Sequence, residues 1–285
     1  ELDRALIHKV KYLVEKTGVR KLCIAGGVGL NAVTNRAFFF HAGIEAIYIQ
    51  PAAGDSGQCL GDALHGLYTF DTAYALTHSV SVYQGKKYSS EEIEAVLAKN
   101  DAINFTKMPF AQIAQGAAQD IAAGKIIAWF KGRSEMGPRA LGNRSIIADP
   151  RRSEMKDTIN ARVKHRENFR PFAPSVLAEK APEWFDLNVP APYMILNAHV
   201  TRPTLIPAVT HVDGSARVQT VSEEHNARYH ALISAFYKIT GVPVVLNTSL
   251  NDNEAIVESP KDALSTFLRT NIDVLYIGDY RVEKV

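Results

Sequence analysis

Twice before Tyr68, a short apolar run stops at a cluster of glycines and gives way to a helical pattern. Lys21 to Ala25 runs into Gly26-Gly27-Val28-Gly29, with a helix expected through Asn35 and Phe39. Ala46 to Ile49 ends in Pro51-Ala52-Ala53-Gly54-Asp55-Ser56-Gly57, and a second helix is expected to about Tyr68. Strand, glycine turn and helix in that order belong to α/β folds. An amphipathic helix precedes them, with Leu2, Leu6, Ile7, Val10, Leu13 and Val14 at helical spacing and Gly18 as its stop.

The pattern lapses over residues 71 to 88, which read as a linker into new material. A domain boundary near residue 75 gives units of 1–75 and 76–285. In the second unit, helices are expected at Glu91–Lys99, Phe110–Ala123, Asn226–Ile239 and Pro260–Leu268. Strands are expected at Ile103–Phe105, Ile126–Phe130, Pro243–Leu246 and Val274–Ile277, with an apolar Pro-containing stretch at Phe172–Leu177. The fold class is therefore α/β followed by α+β, without internal repeats or low-complexity tracts.

With 285 residues, 46% of them hydrophobic, either unit is able to bury a core. The net charge of +2 argues against a chain built mainly to coat nucleic acid. Cys23, in an apolar run, and Cys59 form neither a disulfide framework nor a zinc pattern, which favours a reducing cytoplasm. No apolar run approaches the ~18 residues of a membrane span. Glu1-Leu2-Asp3-Arg4 has no initiator Met and no signal-peptide plan, and reads like the middle of a helix. The chain is therefore expected to be cut from something longer.

Charge is not evenly spread. Lys131, Arg133, Arg139, Arg144, Arg151, Arg152, Arg162, Lys164, Arg166 and Arg170 crowd around Gly-Pro-Arg-Ala-Leu-Gly-Asn-Arg-Ser. Guanidinium forks grip phosphate and carboxylate oxygens in pairs. Gly132, Gly137, Pro138 and Gly142 break helical regularity, so the arginines are expected on converging loops. A solvated surface, an anion site and an RNA-backbone groove all remain open on these residues. The Gly26–Asn31 turn is either a ligand-free strand-to-helix reversal or a phosphate cradle. Asp55 is either a helix N-cap or one ligand of a metal that needs others; no His-x-x-x-His pair is present to complete it. His211–Thr220 alternates like a strand end, and Asn247-Thr248-Ser249-Leu250-Asn251 resembles a hydroxyl-and-amide turn at a strand terminus.

Together, Gly26–Asn31, Pro51–Gly57, Gly132–Ser145, Asn160–Ser175, Asp213–Val221 and Asn247–Asn251 resemble the carbamoyltransferases of the nodulation protein U and antibiotic O-carbamoyltransferase (tobramycin and cephamycin) family. The resemblance implies the last part of an actin/sugar-kinase-like (ribonuclease H-like) transfer domain over residues 1–75. It implies a YrdC-like domain over 76–285, which makes carbamoyl-adenylate from ATP and carbamoyl phosphate. The carbamoyl group then passes to a hydroxyl of a small acceptor such as an antibiotic sugar. A carbamoylating maturation factor is the neighbouring alternative, against which two cysteines argue; a catalytically silent nucleotide- or RNA-binding module is another.

Carried over by motif, Gly26, Gly27 and Asn31 hold the adenylate and Asp55 is a ligand of iron (Fe2+). Arg139, Lys164 and Arg170 bind carbamoyl phosphate and the ATP phosphates, with Mg2+ sharing that work, and truncating Lys164 is expected to spare folding. Arg217, Asn247 and Ser249 complete the nucleotide site. The family's His metal motif is absent, so a missing N-terminal segment or a partner chain is expected to supply it.

Overall fold

The computed structural model describes residues 1–73 and 81–285. The chain separates into two compact units, the first over residues 1–84 with 136–138 and 195–197, the second over the remainder. The expected boundary near residue 75 lies outside the described residues.

In the first unit, α1 (Leu2–Thr17) is followed by β1 (Lys21–Ile24), α2 (Ala32–His41), β2 (Ala46–Ile49) and α3 (Gln58–Phe70). β1 and β2 pair in parallel, with Lys21 opposite Ala46 and Ile24 opposite Ile49. Parallel neighbours need a crossover, and α2 supplies it. Its core is small: Val10, Phe38, Ala42 and Ile44 are buried, with Leu6, Ile7, Val14 and Leu22 packed against them. Cys23 and Tyr48 stand on exposed strand positions, so the apolar run around Cys23 is covered on one face only.

The second unit opens with α4 (Ser90–Leu97), β3 (Ile103–Lys107), α5 (Phe110–Ala122), β4 (Ile127–Phe130), β5 (Arg144–Ala148) and α6 (Met155–Arg162). It continues with β6 (Ala173–Leu177), α7 (Ala181–Trp184), β7 (Leu196–His199), β8 (Ser215–Val221) and α8 (Glu223–Thr240). β9 (Val244–Ser249), α9 (Pro260–Arg269), β10 (Val274–Ile277) and β11 (Tyr280–Lys284) complete it. Among the described residues these strands form one nine-stranded mixed sheet, ordered β3-β11-β10-β4-β5-β9-β6-β8-β7.

Every residue of β4, β5 and β6 is buried, the expected signature of central strands covered on both faces. α5 buries Ile113, Ala117 and Ile121 at four-residue steps and packs on α8. α9 starts at a capping box in which Ser259 and Asp262 satisfy each other's backbone N–H, with Pro260 in the first turn.

Most expected elements are present, and the differences have physical causes. Arg144 was expected on a loop, yet Arg144-Ser145-Ile146-Ile147-Ala148 is a central strand. Its four following residues fit a buried strand, and the Arg144 side chain is fully buried against backbone carbonyls. α6 has no apolar stripe to announce it, since only Met155, Ile159 and Asn160 are buried. β11 follows the Gly278 turn and pairs with β10 and β3, neither of which is visible as local periodicity.

Gly142 holds a positive φ of 102° between two strands, and a Cβ there would run into the Tyr229 ring of α8. Gly142→Ala is therefore expected to lower the thermal midpoint through both strain and overpacking, by about 1–3 kcal/mol. An unchanged melt would mean that the loop moves freely against α8.

Candidate functional site

Four strands present a polar row on one face of the larger sheet. Side chains two residues apart on a strand share a face, and the ladder places Ser175 opposite Gln219, Ala173 opposite Asn247 and Ser145 opposite Ser249. Ser145, Ser175, Arg217, Gln219, Asn247 and Ser249 therefore line that face. Ser175 Oγ donates to Gln219 Oε1 (2.7 Å), and Asn247 Nδ2 reaches the same oxygen at 3.0 Å.

Over this row lies the loop between β4 and β5, fixed from two sides. Gln219 Nε2 donates to the Leu141 carbonyl (2.9 Å) and Asn247 Nδ2 to that of Ala140 (3.2 Å), while Gly142 N–H donates to Ser145 Oγ (3.1 Å). On the other side the Glu135 carboxylate accepts the N–H groups of Leu141 (2.7 Å), Asn143 (2.7 Å) and Arg144 (3.2 Å). Burial pushes the Glu135 carboxyl upward, against the pull of those amides and of Arg144. Arg139 rides on the loop so fixed.

Many basic residues of the block prove to be structural. Arg144 donates to the carbonyls of Lys131 (2.9 Å) and Asn143 (3.0 Å) and lies over the Phe130 ring. Arg151 is paired with the buried Asp149 at 2.6 Å, and Lys131 is bonded to the Gly278 carbonyl. Arg139 and Arg217 differ: among the described residues neither has a hydrogen-bond or ion-pair partner, and Arg217 Nε is buried and orphaned. Burial draws Arg217 down to about 10, and the charges of Arg139 and Arg166 press in the same direction. A buried guanidinium without an acceptor costs free energy. Like-charged neighbours with no carboxylate between them form a cradle for an anion.

Lys164 has a different place. Its Nζ donates to Ser249 O (2.6 Å), Asn251 O (2.9 Å) and Asn251 Oδ1 (2.7 Å), with Ser249 Oγ at 3.3 Å. Burial draws its ammonium down to about 7, with Arg166 adding to the effect and Glu254 and Asp252 opposing it. Truncation would orphan these acceptors, so Lys164→Ala is a folding variant as well as a site variant. Arg170, by contrast, is half-exposed and pairs with Glu167 at 3.0 Å. Its charge is felt at Arg166, whose Nε is held by Asn160 Oδ1 at 2.7 Å.

The structure thus brings Arg139 and Arg217 together with Arg166, and Lys164 with Ser249 and Asn251. It places Asn247 in the supporting row, with its Oδ1 buried and, among the described residues, without a partner. Sequence reasoning missed the roles of Glu135, Arg166, Gln219 and Asn251. Arg166 and Asn251 had a local signal, each two residues from a chosen position. Gln219 likewise lies two residues from Arg217, but its role is played on a loop 78 residues away, and Glu135 acts on the backbone of its own loop, which its residue type does not announce.

In the first unit, Gly26, at a φ of 98°, donates its N–H to the Ala53 carbonyl (2.7 Å), which ties the two glycine turns together. Asn31 caps α2, accepting Thr34 N–H at 3.3 Å. Asp55 is exposed in a short turn ahead of α3, whose N-cap is Gly57, so the N-cap reading is not met. Among the described residues no group of three His, Cys, Asp or Glu is placed to hold a metal ion. Asp55 alone does not fit the iron expected from the resemblance.

The chain belongs to the carbamoyltransferase family: the model of the family's C-terminus matches residues 118–284, and that of its N-terminus residues 1–64. It is 43% identical to nodulation protein NolNO of Sinorhizobium fredii over 291 residues, covering 99% of this chain and 42% of that protein. It is 36% identical to the 3'-hydroxymethylcephem-O-carbamoyltransferase of Amycolatopsis lactamdurans over 259 residues, covering 90% and 48%. Nodulation protein U of Rhizobium tropici is 39% identical over 256 residues, covering 88% and 42%. The chain spans about half the length of the curated relatives it matches. Full-length HypF in a phosphate- and nucleotide-bound form overlays at a TM-score of 0.43 with 16% identity, covering 61% of this chain and 22% of that one, which is too little to carry an argument. No helix among the described residues is long and apolar enough to cross a membrane.

Two outcomes follow from the unpaired cations. Arg217→Met, which keeps the volume and removes the charge, is expected to raise the thermal midpoint without anion by about 1 kcal/mol or more. It should also abolish stabilisation by pyrophosphate; a lower midpoint with intact pyrophosphate response would make Arg217 structural. Affinity for sulfate, which does not titrate in this range, should fall as pH rises through about 7, where Lys164 loses its proton. Lys164→Arg should flatten that dependence, and a flat profile in the unmodified protein would remove Lys164 from the anion's field.

Proposed function

We propose that this chain is part of an ATP-dependent O-carbamoyltransferase that makes carbamoyl-adenylate and delivers its carbamoyl group to a hydroxyl of a small acceptor. The observation that carries the reading is Arg217, its Nε buried without a partner, with the charges of Arg139 and Arg166 pressing on it. Family membership supports carbamoyl transfer, and the acceptor class is drawn from relatives such as the cephem O-carbamoyltransferase. On this reading residues 1–75 belong to an actin-like transfer domain and 76–285 to a YrdC-like synthase domain.

The chemistry suits fixed cations. Water cleaves carbamoyl phosphate to carbamate and phosphate. A carbamate oxygen then attacks the α-phosphorus of ATP and pyrophosphate leaves. Charge builds on phosphoryl oxygens in that step, and prearranged guanidinium groups stabilise it without reorganising. Arg139 and Arg217 meet the phosphates, and Arg166 and Arg170 add field from the neighbouring loop. Lys164 holds Ser249 and Asn251 in place and contributes charge below about pH 7. Mg2+, if it accompanies ATP, neutralises phosphate oxygens alongside these groups. Gly26, Gly27 and Asn31 would receive the adenylate in the transfer domain, where the acceptor hydroxyl attacks the carbamoyl carbon and AMP leaves. Asp55 does not by itself make an iron site; a missing segment or partner would have to supply the other ligands.

The test is carbamoyl-phosphate-dependent exchange of labelled pyrophosphate into ATP. Exchange is expected, and Arg217→Ala is expected to weaken ATP binding about tenfold to a hundredfold, the scale of a lost charge-assisted bond. ATP binding without any exchange, in the full-length protein, would reduce the reading to a nucleotide-binding module.

A further inference from the structure

On the carbamoyl-adenylate reading the chemistry begins when water cleaves carbamoyl phosphate, and that step gives up a proton. A guanidinium accepts no proton, so the arginines leave the step without a base. Lys164 donates to Ser249 and Asn251, and the Glu135 carboxylate is taken up by three amides of its own loop. His211 takes part in none of these contacts. It stands, partly buried, at the turn that leads into β8.

Backbone closes that turn: His211 N–H donates to the Ser215 carbonyl (2.8 Å) and Gly214 N–H to the His211 carbonyl (3.0 Å). Asp213 Oδ1 accepts Ser215 N–H at 2.9 Å. The Ser215 hydroxyl and that N–H hold the Asp213 carboxyl below the usual carboxylate range. Ser215 has one hydroxyl proton and the carboxylate takes it, so Ser215 Oγ accepts the Nδ1 proton of His211 at 3.2 Å. The tautomer is thereby fixed, with a lone pair on Nε2 that has no partner among the described residues. Ser215 is buried, and Arg217 follows it by two residues on β8. Both side chains therefore share the face of the polar row, roughly 7 Å apart along the strand. Burial draws the His211 imidazole down, Asp213 opposes this and Arg217 adds to it, which favours the uncharged ring near neutral pH.

We propose that His211 is the general base of that first step: its Nε2 takes a proton from the water that attacks the carbamoyl carbon of carbamoyl phosphate. The proposal rests on the carbamoyl-adenylate reading and adds the proton acceptor that the arginines do not supply. The water oxygen bonds to the carbamoyl carbon, the bond from that carbon to the bridging oxygen breaks, and phosphate leaves with the electron pair. The imidazolium hands its proton to the departing phosphate. Carbamic acid loses its own proton to solvent and becomes carbamate, the nucleophile of the next step. While His211 holds the proton, Asp213 stabilises it through Ser215, and a base oriented by a third group is a recurring arrangement for activating a nucleophile. Ser215 and Asp213 are positioning residues; Arg217, on the same face, meets the phosphate.

The test uses the full-length protein and separates the two steps. The first is read as phosphate released from carbamoyl phosphate in the presence of ATP. The second is read as exchange of labelled pyrophosphate into ATP driven by carbamate, added as its ammonium salt, which enters after the cleavage. His211→Gln is expected to slow phosphate release by about a hundredfold or more and to leave carbamate-driven exchange at the unmodified rate. Phosphate release by the unmodified protein should rise with pH as His211 loses its proton. Asp213→Asn removes the charge that opposes burial and Arg217, and should move that rise to lower pH. Undiminished phosphate release in His211→Gln overturns the base role and leaves the adenylate reading standing. Equal losses in both steps overturn it as well, since the ring would then be holding the turn, and so does a rise that stays in place in Asp213→Asn. If neither carbamoyl phosphate nor carbamate drives exchange in the unmodified protein, the adenylate reading falls and the base role with it.

Discussion

Guanidinium groups repel one another, and a fold that gathers three of them must hold them by other means than pairing each with a carboxylate. Arg139, Arg166 and Arg217 are in that position, and the larger unit supplies the restraint through neutral amides and one remote carboxylate. Glu135 binds the backbone of the arginine loop and leaves the Arg139 side chain unpaired. Gln219 and Asn247 hold the same loop from the sheet side, and Asn160 holds the loop of Arg166. Elsewhere the chain does the opposite: Arg151 meets Asp149, and Arg281 meets Asp120. The contrast marks which cations the fold leaves available.

How much of this was legible in the sequence depended on range. α1, β2, α5 and β10 follow from local periodicity and end close to where their apolar runs end. The glycine turns were legible for the same reason, because a positive φ at Gly26 or Gly142 selects its residue locally. β5 was not, since an arginine at its head looked like a loop residue and is instead satisfied by carbonyls of Lys131 and Asn143. The cluster of cations was legible as composition but not as geometry. Arg217 comes from β8, far in sequence from the basic block, and only the sheet order brings that strand beside β6 and within reach of the loop that carries Arg139. Glu135 reads as one more charge in a charged segment, and nothing local distinguishes a carboxylate facing solvent from one gathering three amides.

The two units differ in how far they stand alone. The larger has central strands covered on both faces, whereas among the described residues the smaller has two paired strands and a core cluster of Val10, Phe38, Ala42 and Ile44. Two strands with so small a core are marginal in water. Asp55 stands exposed beside a glycine turn, and among the described residues no group of His, Cys, Asp or Glu is placed to complete a metal site with it.

Arginine and lysine divide the work of the larger unit by chemistry. A guanidinium resists deprotonation even when buried, so Arg217 stays charged although burial and two neighbouring arginines draw it down to about 10. An ammonium yields sooner, and Lys164 is drawn to about 7 in comparable burial. Arg217, which keeps its charge, has its Nε buried without a partner, whereas Lys164, which titrates, is tied to Ser249 and Asn251. Exchanging the two types would invert this: a lysine at Arg217 would escape repulsion by losing its proton, and the anion site would empty of charge at the pH where it is needed. The choice of arginine at position 217 follows from the cost of holding like charges together.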